Sequence, residues 1–314
     1  MSEVKDTLGV LVMAYGTPKN LEEVEAYYTH IRRGRRPTPA LLQELVSRYQ
    51  AIGGVSPLNE ITTAQGLGIE EWLNRDGGRP CKVYFGMKHT SPFIADAVAQ
   101  MAADGIREAV TLVLAPHYST LSIAAYQRAA DEAAERHGGP VLWHVNDWHL
   151  QPRFLDVLAG RVQEALSHYE HPYDVTVVFS AHSLPERILA AGDPYPQQLR
   201  ETGEAVAAKL GLQNFTFAWQ SAGRTEEAWL GPDILDKLRQ LRESGQTSIV
   251  ICAAGFVSDH LEVLYDIDIE AQAVARHLGI HLTRTKSLNA DPAFLHALAE
   301  VVREREQQAT GGRV

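Results

Sequence analysis

The sequence predicts an α/β fold built from two Rossmann-like domains, each a parallel sheet flanked by helices, related by an apparent duplication. Two observations carry this prediction. Short apolar runs alternate with longer amphipathic segments along nearly the whole chain, the pattern of largely parallel sheets with helical crossovers. The halves also repeat one another: VLVMAYGTP (10–18) and VVFSAHSLP (177–185) are each a buried strand entering a polar turn that ends in proline. VTLVLAPHYS (110–119) and TSIVICAAGFVSDH (247–260) likewise pair as strands opening into a His-bearing loop.

The individual elements follow from local pattern. LGVLVMAY (8–15), KVYFG (82–86), AVTLVLA (109–115) and VLWHV (141–145) form a first set of buried strands. DVTVVFS (174–180), FTFAWQ (215–220), SIVICAA (248–254) and HLTRT (281–285) form a second. Gly105 is expected to end the helix IADAVAQMAADG, and Gly138 the helix ADEAAERHGG, because glycine accepts the left-handed conformation that closes a helix. Asp291 followed by Pro292 is an N-cap and first-turn pair for a last helix reaching about residue 306. SHYEHPYD (167–174) is expected to be the crossover, giving domains at 1–168 and 169–314, with the last helix packing back on the first domain.

Composition excludes several classes. The 314 residues are 45% hydrophobic and 22% charged, enough to bury a large core. A net charge of −10 argues against a nucleic-acid partner. The two cysteines, Cys81 and Cys252, form no CxxC pair; they suit a reducing cytoplasm and give no thiolate-metal or iron–sulfur signature. No leader pattern opens the chain, and no stretch approaches the roughly 18 apolar residues of a membrane span. A cytoplasmic protein without integral membrane association is expected. There is no GxGxxG after the first strand, no GxxxxGK[ST], no GxSxG elbow and no HExxH, so the usual Rossmann cargo is missing.

Ligands of such sheets lie beyond the C-terminal strand ends, which here carry Tyr15, His117, His182 and an acidic stretch, so a cleft between the two domains is the expected place for chemistry. His182 in FSAHSLPE follows an apolar strand; it can ligate a borderline metal or take a proton, or it can merely cap the next helix. FVSDHLEVLYDIDIEAQ (256–272) holds five carboxylates, and Glu262, Asp266 and Glu270 would stack on one helical face. Like charges at that spacing repel. His182 and Glu262 follow strands of the same half and can offer nitrogen and oxygen ligands to one metal, with coordination positions left open. Asp266 and Glu270 then read either as a row feeding cations inward or as a solvated acidic face. In the first half, YYTHIRRGRRP (27–37) contributes Arg32, Arg33, Arg35 and Arg36, and Arg48, Tyr49, Ser56, Lys88 and Tyr126 add polar groups. Arginine forks suit carboxylates. Phosphate, solvent or a polycarboxylate would each account for them, and Tyr15, Tyr27, Tyr28, Trp219 and Trp229 could flank a flat ring or simply pack the core. A flat polycarboxylate beside a metal-ligand pair describes a porphyrin.

LVMAYGTP, YYTHIRRGR, YQAIGGVSPL, GMKHTSPFI, LAPHYS, SAHSLPE, GDPYPQQL, WQSAG…WLGPD and GFVSDHLEVLYDID resemble ferrochelatase segments in order and spacing, over nearly the whole chain. The pattern is most similar to the compact form of Gram-positive bacteria, which inserts Fe²⁺ into coproporphyrin III in haem biosynthesis. That resemblance implies a chelatase-like fold and His182 and Glu262 as the catalytic metal-site pair. It also implies Tyr15 on the opposite side of the porphyrin as an axial ligand, and Asp266 and Glu270 as a relay. Arg32, Arg48, Tyr49, Ser56 and Tyr126 match positions that contact the macrocycle and its propionates. The expected partners are the small-molecule substrates porphyrin and Fe²⁺, with no cofactor beyond the substrate iron, no iron–sulfur cluster, and a monomeric state. A protoporphyrin IX ferrochelatase, a cobalt or nickel chelatase, and a non-catalytic haem or metal carrier are the alternatives.

Overall fold

The computed structural model describes residues 6–75 and 77–311. Its first sheet holds β1 (Leu8–Ala14), β2 (Cys81–Met87), β3 (Glu108–Val113) and β4 (Val141–His144), in the order β2-β1-β3-β4 and parallel throughout. The second holds β5 (Thr176–His182), β6 (Phe215–Gln220), β7 (Ser248–Cys252) and β8 (His281–Arg284), in the order β6-β5-β7-β8 and again parallel. Each sheet therefore places its first strand between its second and third, so the two halves share one topology, in keeping with the expected duplication. Both central strands are apolar runs because a parallel sheet is covered on both faces. Every residue of β1 is buried, and so is all of β5 except His182 at its C-terminal end.

All eight predicted strands form, with ends shifted by a few residues. The helix ends follow the predicted chemistry too. Ile94–Ala103 is closed by Asp104 and then Gly105 at φ 75°, and Ile123–His137 by Gly138 at φ 59°. Asp291 caps Pro292–Thr310 by accepting from Ala293 N and Phe294 N, and this helix runs beyond the expected end near 306.

The chain packs as two compact units, and their division differs from the expected one at 168/169. The first unit contains the chain up to Ala115, Ser122–Trp148 and everything from Asn289 on; the second contains Pro116–Leu121 and His149–Leu288. The reason is where amphipathic faces find partners. The helix Pro152–Leu166 buries Phe154, Leu155, Leu158 and Val162 and packs on the helix Tyr195–Leu210, which draws the boundary back to residue 148. SHYEHPYD is thus internal to the second unit rather than a crossover, with Tyr169 Oη donating to the Ile249 carbonyl at 2.7 Å. The last helix returns to the first unit against Leu58–Arg75, where Gly68 leaves room for Leu295; a Cβ there would lie 2.3 Å from Leu295 Cδ1. Among the described residues, no helix is long and apolar enough to cross a membrane.

The acidic stretch is helical, but not a plain α-helix. After a short α turn at residues 261–262, Val263–Ala271 is a π-helix, followed by the α-helix Gln272–Leu278. Gln272 N–H bonds the Ile267 carbonyl, the i→i+5 pattern of the wider helix. Val263, Ile267 and Ala271 form its core face, packed with Val178, Ile249 and Ile251 of the sheet.

Candidate functional site

His182 stands at the carboxyl end of β5, where the strand leaves the core, and its side chain is one-third exposed. Nδ1 contacts the Ser183 carbonyl, which commits that nitrogen as an N–H donor and leaves Nε2 as the outward atom. Nε2 lies 3.5 Å from Glu262 Oε1. The other carboxylate oxygen of Glu262 lies 3.5 Å from Nε2 of His260, whose Nδ1 is in turn 2.9 Å from the Ser258 carbonyl. Two imidazoles thus offer the same kind of nitrogen to one carboxylate, one on each oxygen. From the backbone side, Tyr195 Oη donates to the His182 carbonyl at 2.9 Å; burial pushes that phenol up, so it stays a donor.

Electrostatics follow from this geometry. Burial alone would lower the His182 pKa, but Glu262, with the Ser183 carbonyl and Asp266, outweighs it and raises the pKa to about 9. Burial works to raise the Glu262 pKa, yet His182 and His260 outweigh it and hold the carboxyl well below its usual range. The metal-free pair is therefore an imidazolium beside a carboxylate. Any cation ligated at Nε2 would compete with that proton. Among the described residues, no group of three or more His, Cys, Asp and Glu side chains has the arrangement of a closed metal site.

Asp266 is buried, at 6% exposure, which rules out a solvated acidic face for this member of the row. Ser221, a non-glycine residue at φ 59°, donates its hydroxyl to Asp266 Oδ2. The neighbouring Gln220 reaches the Glu262 carbonyl through Nε2 at 3.4 Å and accepts from Ser180 Oγ at 3.0 Å. Glu270 is partly exposed farther along the π-helix. The structure therefore brings His182 and Glu262 within 3.5 Å, leaves Asp266 acting on His182 through its charge while it accepts from Ser221, and adds His260 and Gln220 around Glu262. A histidine two residues before Glu262 in SDHLE was the sequence signal for His260. Nothing in the sequence signals the strained Ser221.

The remaining predicted residues belong to the first unit. Tyr15, just beyond β1, is 41% exposed, and its ring lies 4.4 Å from that of His89. Burial, then Lys88 and His30, lower the His89 pKa to about 4, so this imidazole stays neutral. Tyr126 is buried beneath Lys88, whose Nζ is 4.9 Å from the ring centroid. Burial, Arg128 and Arg33 lower the Lys88 pKa. Arg32 stacks over Tyr28 at 5.6 Å and donates through Nε to the Arg35 carbonyl. Arg48 Nη2 is 3.4 Å from Glu44 Oε1 on its own helix. Tyr49 and Ser56 are buried. The Tyr49 hydroxyl meets Thr17 Oγ1 at 3.0 Å, so it braces the turn after Tyr15, and Ser56 Oγ accepts from Leu58 N at 3.4 Å.

A family model described as ferrochelatase matches residues 7–306. The chain belongs to the ferrochelatase family. It is 50% identical over 305 residues to the coproporphyrin III ferrochelatase of Geobacillus sp. (strain WCH70), covering 96% of this chain and 98% of that relative. It is 48% identical over 303 residues to the coproporphyrin III ferrochelatase of Halalkalibacterium halodurans, with 96% and 98% covered. Among solved structures, the cobalt complex of the sirohydrochlorin chelatase SirB from Bacillus subtilis subspecies spizizenii superposes with a TM-score of 0.58 over 97% of each chain. At 10% identity that likeness speaks for the fold alone.

Proposed function

We propose that this protein inserts Fe²⁺ into coproporphyrin III, giving iron coproporphyrin and two protons in haem biosynthesis. The observation that carries the reading is the open His182–Glu262 pair at the end of β5, in a chain half identical to coproporphyrin III ferrochelatases over almost its full length. A site with one imidazole nitrogen and one carboxylate holds a cation without enclosing it, as a donor of metal must.

The proton arithmetic closes on the same two residues. Fe²⁺ binding at His182 Nε2 and Glu262 releases the imidazolium proton. When iron passes to the ring, the neutral imidazole accepts one of the two pyrrole protons, and the other leaves toward Asp266 and Glu270. His182 is then an imidazolium again, and two protons have been released per iron. Remote binding of the carboxylates by Arg32 and Arg48, with Tyr49, Ser56 and Tyr126 supporting, would offset the cost of bending the macrocycle to expose its nitrogen lone pairs. Tyr15 is assigned as the axial group on the other face. Cys81 and Cys252 are both buried, and burial pushes their thiols up to about 11 and about 12, so neither is poised as a thiolate ligand for a cluster; a cytoplasmic, monomeric enzyme without an iron–sulfur cluster is part of the same reading.

The test is a paired anaerobic assay with Fe²⁺ and either coproporphyrin III or protoporphyrin IX. Multiple-turnover loss of free coproporphyrin, faster than that of protoporphyrin, is expected. A preference for protoporphyrin would replace the substrate, and stoichiometric binding without turnover would make the protein a carrier.

A further inference from the structure

Arg284 closes β8, the edge strand opposite β6, which Ser221 follows. Its Nε and Nη2 donate to the two carboxylate oxygens of Asp268 at 2.7 and 2.8 Å, a parallel fork. Nη2 also lies 3.3 Å from Asp259 Oδ1. Nη1 donates to the Thr285 carbonyl and to Ser287 Oγ, each at 3.1 Å, and the Ser287 hydroxyl donates onward to Asp259 Oδ1 at 2.7 Å. Every nitrogen of the guanidinium is engaged, and the side chain is only 13% exposed.

The two carboxylates it holds bracket the metal-handling segment. Asp259 immediately precedes His260, and Asp268 lies within Val263–Ala271, so Glu262 sits between two pinned positions. Ser221 holds Asp266 from the end of β6 while Arg284 holds Asp268 from the end of β8. Both ties oppose rotation or tightening of the segment. That matters because i→i+5 hydrogen bonding is the rarer state, found mostly as short stretches inside α-helices and often at functional sites. Tightening by part of a turn would carry the Glu262 carboxylate away from His182.

We infer that Arg284 is a positioning residue for iron insertion: its guanidinium fixes the π-helix to the Asp259–His260 turn and so sets where Glu262 stands. This rests on the reading of His182 and Glu262 as the metal-handling pair. Lysine cannot replace it, since an ammonium keeps the charge but not the planar fork.

The experiment compares wild type, Arg284→Lys, Arg284→Ala, Asp268→Asn and the Arg284→Ala/Asp268→Asn double variant. Amide hydrogen exchange is followed for 263–278, together with kcat for Fe²⁺ insertion and Kd for coproporphyrin III. In both Arg284 variants, exchange in 263–271 should accelerate at least tenfold while 272–278 stays within threefold. The kcat should fall at least tenfold with porphyrin Kd unchanged, and the double variant should be no worse than Arg284→Ala. Arg284→Lys keeps a cation in the site and guards against a variant that fails to fold. Wild-type exchange in 263–271, or kcat within twofold of wild type, in folded Arg284→Lys and Arg284→Ala would overturn the inference. If wild type itself inserts no iron, the functional reading falls and the positioning role falls with it; the exchange data then still show whether the arginine holds the helix, so the two failures are told apart.

Discussion

Nε2 of His182 and Oε1 of Glu262 face each other at 3.5 Å, joining the end of β5 to the start of the acidic helix. That separation exceeds the roughly 2.7–2.9 Å of a tight charge-assisted hydrogen bond. The fold produces it by letting one histidine protrude from an otherwise buried strand, while the Glu262 helix is anchored by Gln220, Ser221 and Arg284.

Metal uptake should be proton-linked. Because the His182 pKa is raised to about 9, the imidazole carries a proton throughout the neutral range, and a metal must remove it. Affinity for Zn²⁺, used as a redox-inert probe, should rise about tenfold per pH unit as pH approaches 9 from below, one proton being lost per ion bound. Titration calorimetry in buffers of different ionisation enthalpy counts the protons directly. In His182→Ala the slope should flatten, and an unchanged slope would move the linked proton elsewhere.

Porphyrin affinity should depend unequally on the two arginines. Arg48 already shares its charge with Glu44, whereas Arg32 donates to the Arg35 carbonyl and stacks over the Tyr28 ring, neither of which neutralises it. Arg32→Ala should weaken coproporphyrin III binding about tenfold, corresponding to roughly 1.4 kcal/mol, and Arg48→Ala less. Fluorescence quenching with porphyrins bearing four and two carboxylates checks this. An equal loss for both porphyrins would count against carboxylate recognition.

Ser221→Ala should cost both stability and activity. The hydroxyl satisfies a buried carboxylate, and hydrogen bonds to charged groups contribute about 1.5–3 kcal/mol. Ser221→Gly loses the same bond but relaxes the φ 59° backbone, so it should unfold at a higher denaturant concentration than Ser221→Ala. If both variants match wild type in midpoint and in iron KM, Asp266 is held by something else.

Much of this architecture was legible in the sequence because it rests on local rules. An uninterrupted apolar run such as VVFSA reads as a strand covered on both faces, and a histidine at its end is then at the mouth of a sheet. Caps at Gly105, Gly138 and Asp291 read equally well. Packing partners did not. The face of Pro152–Leu166 says that it is buried but not against which neighbour, so the boundary expected at 168/169 lies near 148 instead. The π-helix was invisible for a related reason. Residues 263–271 have no composition that distinguishes i→i+5 from i→i+4 bonding, and the wider turn is fixed by tertiary contacts from Ser221 and Arg284. His260 escaped notice because its value lies in sharing Glu262 with a histidine from another strand.

The most direct measurement is a double-mutant cycle on kcat for Fe²⁺ insertion into coproporphyrin III, using His182→Ala, Glu262→Gln and both together, with porphyrin Kd recorded for each. The two side chains should act as one unit. Each single variant should lose about two to four orders of magnitude, the double should lose no more than the worse single, and porphyrin binding should hold. Near-wild-type turnover in either single variant, or losses that multiply in the double, would mean that the imidazole and the carboxylate do not hand over the metal together.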